Sequence, residues 1–166
     1  MVSTVANAVS IPVFGSGDCI EPEDIVLRMK AGVSGVFVGR GVLRNPGILA
    51  QAQVLMAGRP ARQITDEERG QFLLDYMGML LAENVDEAAG FRHGAADVAS
   101  GFSRPLTAVG REKWVINKLR ALCTWYTKGF EGGSQFRIGI NSAKSIAEVE
   151  ELVASFFLTG AGRRAS

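Results

Sequence analysis

The 166-residue chain carries 18 basic and 17 acidic side chains, so its net charge of +1 is not that of a generally basic nucleic-acid-binding protein. Its two cysteines, Cys19 and Cys123, have no metal or redox spacing, which indicates no disulfide framework and fits a reducing cytoplasm. No apolar run approaches the ~18 residues of a membrane span, and no basic residue precedes the first apolar stretch, so neither a membrane anchor nor a signal peptide is expected.

The first predicted elements form a strand–helix–strand unit in which each strand leads into a glycine-rich turn. The apolar run 11–14 leads into the turn 15–18, and the apolar run 36–38 leads into the turn 39–41. A helix is predicted between them over 22–30, with proline at its start and glycine just past its end. Because the strands of such a unit are parallel, their carboxyl ends lie side by side and the two turns face a common ligand.

The two turns predict a cradle for an anion. Glycine lets backbone N–H groups approach an anion closely, and the N-termini of the following helices add a favourable dipole. Gly17 and Asp18 in the first turn, and Gly39 and Arg40 in the second, can offer amides to a phosphate, with Arg40 adding a positive charge. The carboxylate of Asp18 would repel a phosphate, so Asp18 is expected to act through its amide or to cap the following helix. The alternative is that these glycines only permit tight strand–helix turns.

Further along, a helix is predicted over 45–56 and a domain boundary over 58–64. Thr65 and Glu68 then form a capping box, which predicts the start of another helix. The Met and aromatic side chains of this helix fall at helical spacing and are interpreted as core rather than as ligands. The apolar set comprises Phe72, Leu73, Tyr76, Met77, Leu80 and Leu81.

The sequence offers no catalytic residue. A long loop is predicted over 88–110, and it contains the single histidine, His93, which has no partner acid or nucleophile and is expected to be solvated. Cys19, beside the first glycine turn, has no basic partner in the sequence and is interpreted as a packing residue. No zinc ligand set, Ser/His/Asp order or pair of catalytic carboxylates can be assembled.

The strongest helical pattern, over 111–128, has an apolar stripe on one side and a polar, basic face on another. This face consists of Lys113, Asn117, Arg120, Thr124 and Lys128. Six basic and two acidic residues lie between positions 111 and 137, against one basic and seven acidic between 65 and 90. This asymmetry predicts one anion-facing surface. The alternative is a solvated basic face paired with the acidic helix that begins after Thr65. A final helix is predicted over 145–157.

Several of these segments together resemble the C-terminal part of the tRNA-dihydrouridine synthases. The segments are Ile11-Pro12-Val13 with Gly17-Asp18, Gly35-Val36-Phe37-Val38-Gly39-Arg40-Gly41, Asn45-Pro46, and Leu122-Cys123-Thr124-Trp125-Tyr126-Thr127-Lys128-Gly129, with Arg137 and Asn141 beyond. The glycine turns alone would suit several flavin barrels, whereas the Trp125-to-Gly129 run is much more specific. The resemblance covers about residues 5–157.

The resemblance implies an FMN-binding (β/α)8 barrel followed by a helical domain, both of which hold tRNA. In that family a uridine is flipped into the barrel, its 5,6 double bond receives a hydride from the flavin, NADPH recharges the flavin, and a barrel cysteine supplies the proton. This chain is then expected to be α/β plus all-α, a C-terminal barrel fragment followed by a helical bundle. Strands seven and eight lie within 1–60, the tRNA-binding domain within 61–160 and a flexible tail at 161–166.

The resemblance also implies which residues bind the two ligands. The FMN phosphate would be held by Ser16, Gly17, Asp18, Gly39 and Arg40, where Ser16 departs from the family's more usual Asn. RNA would be bound by Lys113, Asn117, Arg120, Lys128 and Arg137. The segment with the proton-donating cysteine would lie outside this chain, and Cys19 does not match its motif. The isolated chain is therefore expected to be inactive and to purify without stoichiometric FMN.

Two alternatives remain open: a non-catalytic RNA-binding helical module, and a half-barrel that dimerises into a phosphate-ligand protein. On the main interpretation the partner is tRNA, the location is cytoplasmic, and no membrane is involved. A further copy of the chain or an N-terminal barrel part is expected to cover the exposed edge strand, because two parallel strands leave unpaired edges.

Overall fold

The computed structural model describes residues 2–82 and 108–159. In chain order its elements are α1 (Val2–Ala8), β1 (Phe14–Gly17), α2 (Pro22–Lys30), β2 (Gly35–Val38), α3 (Arg40–Arg44), α4 (Ile48–Met56), α5 (Asp66–Ala82), α6 (Ala108–Tyr126), α7 (Gly133–Ser142) and α8 (Ile146–Val153), followed by a π-helical turn at Ala154–Leu158. None of the helices in these two ranges is long and apolar enough to cross a bilayer. Positions 88–107 of the predicted loop, which include His93, and the tail at 161–166 lie outside the described residues.

The strands β1 and β2 pair in parallel, with Phe14 opposite Gly35 and Gly17 opposite Val38. The crossover helix α2 joins them, so the predicted strand–helix–strand unit is confirmed. The first strand begins later than predicted, however, and positions 15–17 lie in the strand rather than in a turn. Pro12 has no N–H to give to a strand partner, which explains why the ladder does not extend back over the apolar run.

The helix α2 has the predicted bounds and a side-chain cap at its start. The carboxylate of Asp24 accepts hydrogen bonds from the backbone N–H groups of Ile20 (2.9 Å) and Glu21 (3.0 Å). Both hydrogen bonds lower the pKa of the Asp24 carboxyl, and the bond from Glu21 has the larger effect. Gly32, just beyond the helix, has φ +86°, a left-handed conformation that suits glycine.

The chain after β2 differs from the prediction. The turn predicted over 39–41 is wrong for Arg40 and Gly41, which open the short helix α3. Asn45 then separates two helices instead of starting one, because its Oδ1 accepts a hydrogen bond from the N–H of Gly47 at 3.2 Å. The helix α4 consequently begins only at Ile48. An Asn side chain that bonds to the nearby backbone in this way competes with helix continuation.

Buried apolar residues form two clusters. The smaller one holds Cys19, Ile25, Ile48 and Ala52 between the sheet, α2 and α4. The larger one is built by α5 to α8 and the π-helical turn, and its members are Leu73, Met77, Leu80, Val115, Ile116, Leu119, Cys123, Tyr126, Phe136, Ile140, Ala143, Val149, Val153, Phe156 and Phe157. The core interpretation of the α5 residues is confirmed. The predicted domain boundary at 58–64 falls between the clusters in sequence and stays a prediction.

The start of α5 and the end of α6 show local hydrogen bonds from side chains. The predicted capping box is confirmed, since the N–H of Glu68 donates to Thr65 Oγ1 at 3.2 Å and the N–H of Thr65 donates to the Glu68 carboxylate at 2.9 Å. The helix α6 begins at Ala108, inside the stretch 88–110 that was predicted as a loop, and ends at Tyr126 rather than at 128. Thr127 Oγ1 donates to the carbonyl oxygen of Cys123 at 2.8 Å, and Gly129 follows with φ +87°, so the helix stops there.

Candidate functional site

The predicted cradle lies at the carboxyl ends of the two paired strands. Gly17 is opposite Val38, so Asp18 and Gly39, the next residues, lie at the same edge of the sheet. Ser16 and Gly17 belong to β1 itself, and both are exposed. The structure thus brings the five predicted phosphate residues together, at the edge where ligands of parallel sheets bind.

Two glycines allow the close approach of backbone and side chains at this edge. A Cβ atom at Gly41 would overlap the carbonyl oxygen of Cys19, so only glycine lets α3 pack against the chain after β1. Gly17 has φ +145°, and a Cβ there would lie 2.7 Å from Nη2 of Arg28. Cys19 is buried in the smaller cluster, in agreement with its interpretation as a packing residue.

The charged residues of the two turns pair with each other. The guanidinium of Arg40 donates to the carboxylate of Asp18 and forms an ion pair across the turns. Both side chains remain more than half exposed, at 54% and 62%, so the pair is open to solvent and to a ligand. An anion bound at this edge would therefore compete with Asp18 for Arg40, a relation that the sequence prediction of simple repulsion by Asp18 did not include.

Arg40 also contacts the helical part of the chain. Its Cζ lies 5.9 Å from the ring centroid of Trp125, near the end of α6. Nζ of Lys128 lies 5.6 Å from the same ring. One cation from the strand–helix unit and one from the helical part thus contact a single indole, which favours both through its quadrupole. Sequence reasoning used Trp125 only as part of a family motif and missed this contact.

The predicted basic face of α6 is only partly available for a ligand. Lys113 and Asn117 are exposed. The guanidinium of Arg120 instead donates to the carbonyl oxygens of Ile140 (3.2 Å) and Ala143 (2.8 Å) at the end of α7. Arg120 also donates to Oδ1 of Asn117 at 3.0 Å. Arg120 therefore stabilises the end of α7, a role that spacing along α6 could not reveal.

Two further predicted RNA-binding residues lie beyond the end of α6. Lys128 follows the last turn of the helix and is exposed, so it does not continue the face of Lys113 and Asn117. Arg137 lies on α7, and its Nη1 donates to Oγ1 of Thr127 at 3.0 Å. Lys128 and Arg137 line the same groove between α6 and α7.

The other cysteine offers no nucleophile. Cys123 is buried in the larger cluster, and burial raises the pKa of its thiol to about 12. The thiol therefore stays protonated at neutral pH, and no titratable partner in the described residues activates it.

Sequence reasoning also missed Arg69, because no motif or spacing distinguishes it among the acidic residues at the start of α5. Its side chain is nevertheless buried at the junction of α3, α5 and α6.

Comparison with known proteins gives a consistent result. The family model described as "Dihydrouridine synthase (Dus)" matches residues 1–159. The chain is 26% identical over 145 residues to a protein from Mycobacterium leprae (strain TN) named "Probable tRNA-dihydrouridine synthase", covering 87% of this chain and 31% of the relative. A protein of the same name from Rickettsia prowazekii (strain Madrid E) is 26% identical over 167 residues, covering 95% of this chain and 41% of the relative.

A fungal relative adds a different name. The "tRNA-dihydrouridine(47) synthase [NAD(P)(+)]" of Coprinopsis cinerea (strain Okayama-7 / 130 / ATCC MYA-4618 / FGSC 9003) is 33% identical over 81 residues, or 48% of this chain and 11% of the relative. The chain thus spans less than half the length of each of these curated relatives.

Proposed function

The chain belongs to the dihydrouridine synthase family, and from this premise we propose that it serves the FMN-dependent reduction of uridine to 5,6-dihydrouridine in tRNA. The names of its relatives support tRNA as the substrate, and the name of the Coprinopsis cinerea relative includes NAD(P). We propose NADPH as the source of electrons. We propose residues 1–60 as a phosphate-binding segment of a (β/α)8 barrel and 61–160 as the tRNA-binding helical part. A tRNA substrate implies action in the cytoplasm.

The cradle fits the phosphate end of FMN. The carboxyl ends of both strands meet at one edge of the sheet, and Gly41 lets the start of α3 pack against the carbonyl oxygen of Cys19 beside them. Ser16, Gly17, Asp18 and Gly39 would present backbone groups to the phosphate, and Arg40 would add its charge. When bound, FMN supplies the hydride for the uridine ring. The residues of this chain bind and orient the phosphate end of the cofactor.

The exposed face of the two-stranded sheet supports assignment to a barrel. The rings of Phe14 and Phe37 lie 5.6 Å apart on this face and are 57% and 64% exposed. In a (β/α)8 barrel the helices cover the outside, as α2 and α4 do here, and apolar side chains fill the inside. We propose that Phe14 and Phe37 face a barrel interior, completed by further strands or by another protein chain.

The observation that carries the proposal is the position of Arg40 between the cradle and the helical part. Arg40 pairs with Asp18 on one side and contacts Trp125 on the other. A cofactor phosphate at Arg40 and an RNA that approaches Trp125 and Lys128 would therefore be bound close together, which supports a chain that serves both ligands.

The test is the dihydrouridine content of tRNA in the source cell. Deleting the coding sequence is expected to remove dihydrouridine from at least one tRNA position, measured by mass spectrometry of nuclease-digested tRNA. Re-expression of the wild-type sequence should restore it, and an Arg40→Gln variant should restore less. Unchanged dihydrouridine at every position after deletion would contradict the proposed reaction and favour a non-catalytic RNA-binding module.

A further inference from the structure

A groove of about 420 Å³ lies between the end of α6 and the start of α7. Trp125 forms part of its wall, and Lys128 and Arg137 bring two positive charges to it. The hydroxyl-bearing residues Thr124 and Ser134 also line it. None of the described residues that line the groove is acidic, so this lining carries a net positive charge.

Glycine residues shape the corner between α6 and α7 that bounds this groove. Gly129 and Gly132 both have positive φ, +87° and +72°, and they turn the chain sharply between the two helices. A Cβ at Gly133 would lie 2.7 Å from the carbonyl oxygen of Thr127, so the start of α7 packs directly on the end of α6. Gly132, the N-cap residue of α7, has no side chain that could accept hydrogen bonds from the first N–H groups of this helix.

One of the two cations is already oriented. Thr127 is buried, and its hydroxyl donates to the carbonyl of Cys123 while it accepts a hydrogen bond from Arg137 Nη1. This contact holds the guanidinium at the groove and leaves its other donors available. Neither Lys128 nor Arg137 forms an ion pair with a carboxylate among the described residues, in contrast to Arg40 and Arg62, which pair with Asp18 and Glu68.

We propose that this groove binds one nucleotide of the RNA backbone, with a phosphodiester between Lys128 and Arg137 and the nucleoside beside Trp125. The inference rests on the proposed function in that tRNA is the ligand. Two cations, hydroxyl groups and a helix N-terminus match a phosphodiester, and an aromatic wall suits an unpaired nucleotide. RNA binding in this region is thereby assigned to the α6–α7 corner, since Arg120 on the α6 face is held by α7.

The test uses the full chain and unfractionated tRNA. In a Trp114→Phe background Trp125 is the single tryptophan, so its emission reports on the groove. tRNA binding is expected to change this emission, because it draws Lys128 away from the indole. The double variant K128Q/R137Q should lower the slope of log affinity against log salt by about 0.7 to 0.9 for each phosphate that the protein no longer neutralises.

A charge-matched double variant, R59Q/K144Q, provides the control, since both side chains are exposed and lie outside the groove. It should retain most of the wild-type affinity. Because Arg137→Gln also removes the bond to Thr127, the single variant K128Q, at an exposed position, is a second test. It must lower both the tRNA affinity and the salt slope, by no more than the double variant does, with unchanged circular dichroism.

Three results would overturn the proposal: equal reductions of affinity in the two double variants, tRNA binding without any change in Trp125 emission, or no tRNA binding at low salt. Inorganic phosphate that alone produces the full emission change at similar affinity would indicate a free-anion site instead. The disappearance of dihydrouridine on gene deletion is scored separately, so failure of the groove and failure of the proposed reaction are distinguishable.

Discussion

Arg40 contacts two groups that belong to different parts of the molecule. Its guanidinium pairs with Asp18, 22 positions earlier in the chain, and lies 5.9 Å from the Trp125 ring centroid, 85 positions later. Neither partner can be found from local spacing. The sequence predicted that Asp18 and Arg40 lie at an anion-binding site. It could not predict that the two side chains form an ion pair with each other.

The ion pair predicts opposite effects of two substitutions on anion binding. Asp18→Asn removes the competing carboxylate and should raise the affinity of the cradle for inorganic phosphate, whereas Arg40→Gln removes the cation and should lower it. A solvent-exposed charge contact contributes at most about 1 kcal/mol, so we expect changes of about threefold to fivefold. The measurement is an NMR titration that follows the amide signals of Gly17 and Gly39.

Arg59→Gln is the matched control for Arg40→Gln, because Arg59 is exposed and lies outside the cradle. It should leave the phosphate titration unchanged. Equal affinity in the Asp18 and Arg40 variants would show that phosphate does not use this pair.

The Arg62–Glu68 pair predicts a pH dependence of stability. The Arg62 side chain, followed by the backbone N–H of Thr65, lowers the pKa of the Glu68 carboxyl from 4.5 to about 2. A carboxyl whose pKa is lower in the folded state binds its proton more readily in the unfolded state. Its contribution is therefore present above pH 4.5 and is lost as the pH falls from 4.5 towards 2.

Urea unfolding at several pH values in this window measures the effect. Glu68→Gln should show a smaller loss of unfolding free energy on acidification than the wild type does. Glu67→Gln removes a charge one position earlier, at a residue with no ion pair among the described residues, and should keep the wild-type dependence. Identical pH profiles for Glu68→Gln and the wild type would refute the assignment.

The helix α7 depends on a side chain from α6. Arg120 donates to the carbonyls of Ile140 and Ala143, which lie where α7 ends and would otherwise lack donors. The basic face of α6 thus serves two purposes, with Lys113 exposed to solvent and Arg120 joining two helices.

Arg120→Gln is expected to lower the unfolding free energy by about 1 to 3 kcal/mol, because carbonyls at the end of α7 lose a charged donor. Lys113→Gln, on the same helix, should change it by less than about 0.5 kcal/mol. Urea denaturation of both variants tests the difference. Equal stability of the two would place Arg120 on a solvated surface instead.

Elements with strong local signals could be predicted from the sequence, and those decided by tertiary contacts could not. The bounds of α2 follow from proline at its start and glycine after its end, and the start of α5 follows from Thr65 and Glu68. The helix α3 depends on Gly41 packing against Cys19, a contact between segments that are distant in the sequence. Thr127, just past the end of α6, is buried and bonded to Cys123, and the polar pattern did not distinguish it from a surface residue.

At the scale of the whole molecule, the two apolar clusters are joined by a buried arginine. Arg69 is 2% exposed, and its Nη1 donates to the carbonyl of Arg44 at the end of α3 at 2.9 Å. The hydroxyl of Tyr126 donates to the backbone oxygen of Arg69 at 3.0 Å. The guanidinium also lies 5.4 Å from the rings of Tyr126 and Phe130. The orientation of the cradle relative to Trp125 therefore depends on Arg69.

Arg69→Met should weaken this connection while it retains most of the buried volume. The carbonyl at the end of α3 loses a charged hydrogen bond, for which about 1.5 to 3 kcal/mol is typical. Hydrogen exchange is the measurement, because it reports local opening element by element. The amide of Asn45, which donates to the carbonyl of Gly41 at 2.8 Å, should exchange about tenfold faster or more, with α7 amides little changed.

Tyr126→Phe is the control variant. It removes only the bond to the Arg69 backbone, so it should accelerate exchange in α5 and α6 more than at Asn45. Uniform acceleration across both clusters in Arg69→Met would mean that the arginine stabilises the molecule as a whole and does not specifically connect the cradle to the helical part.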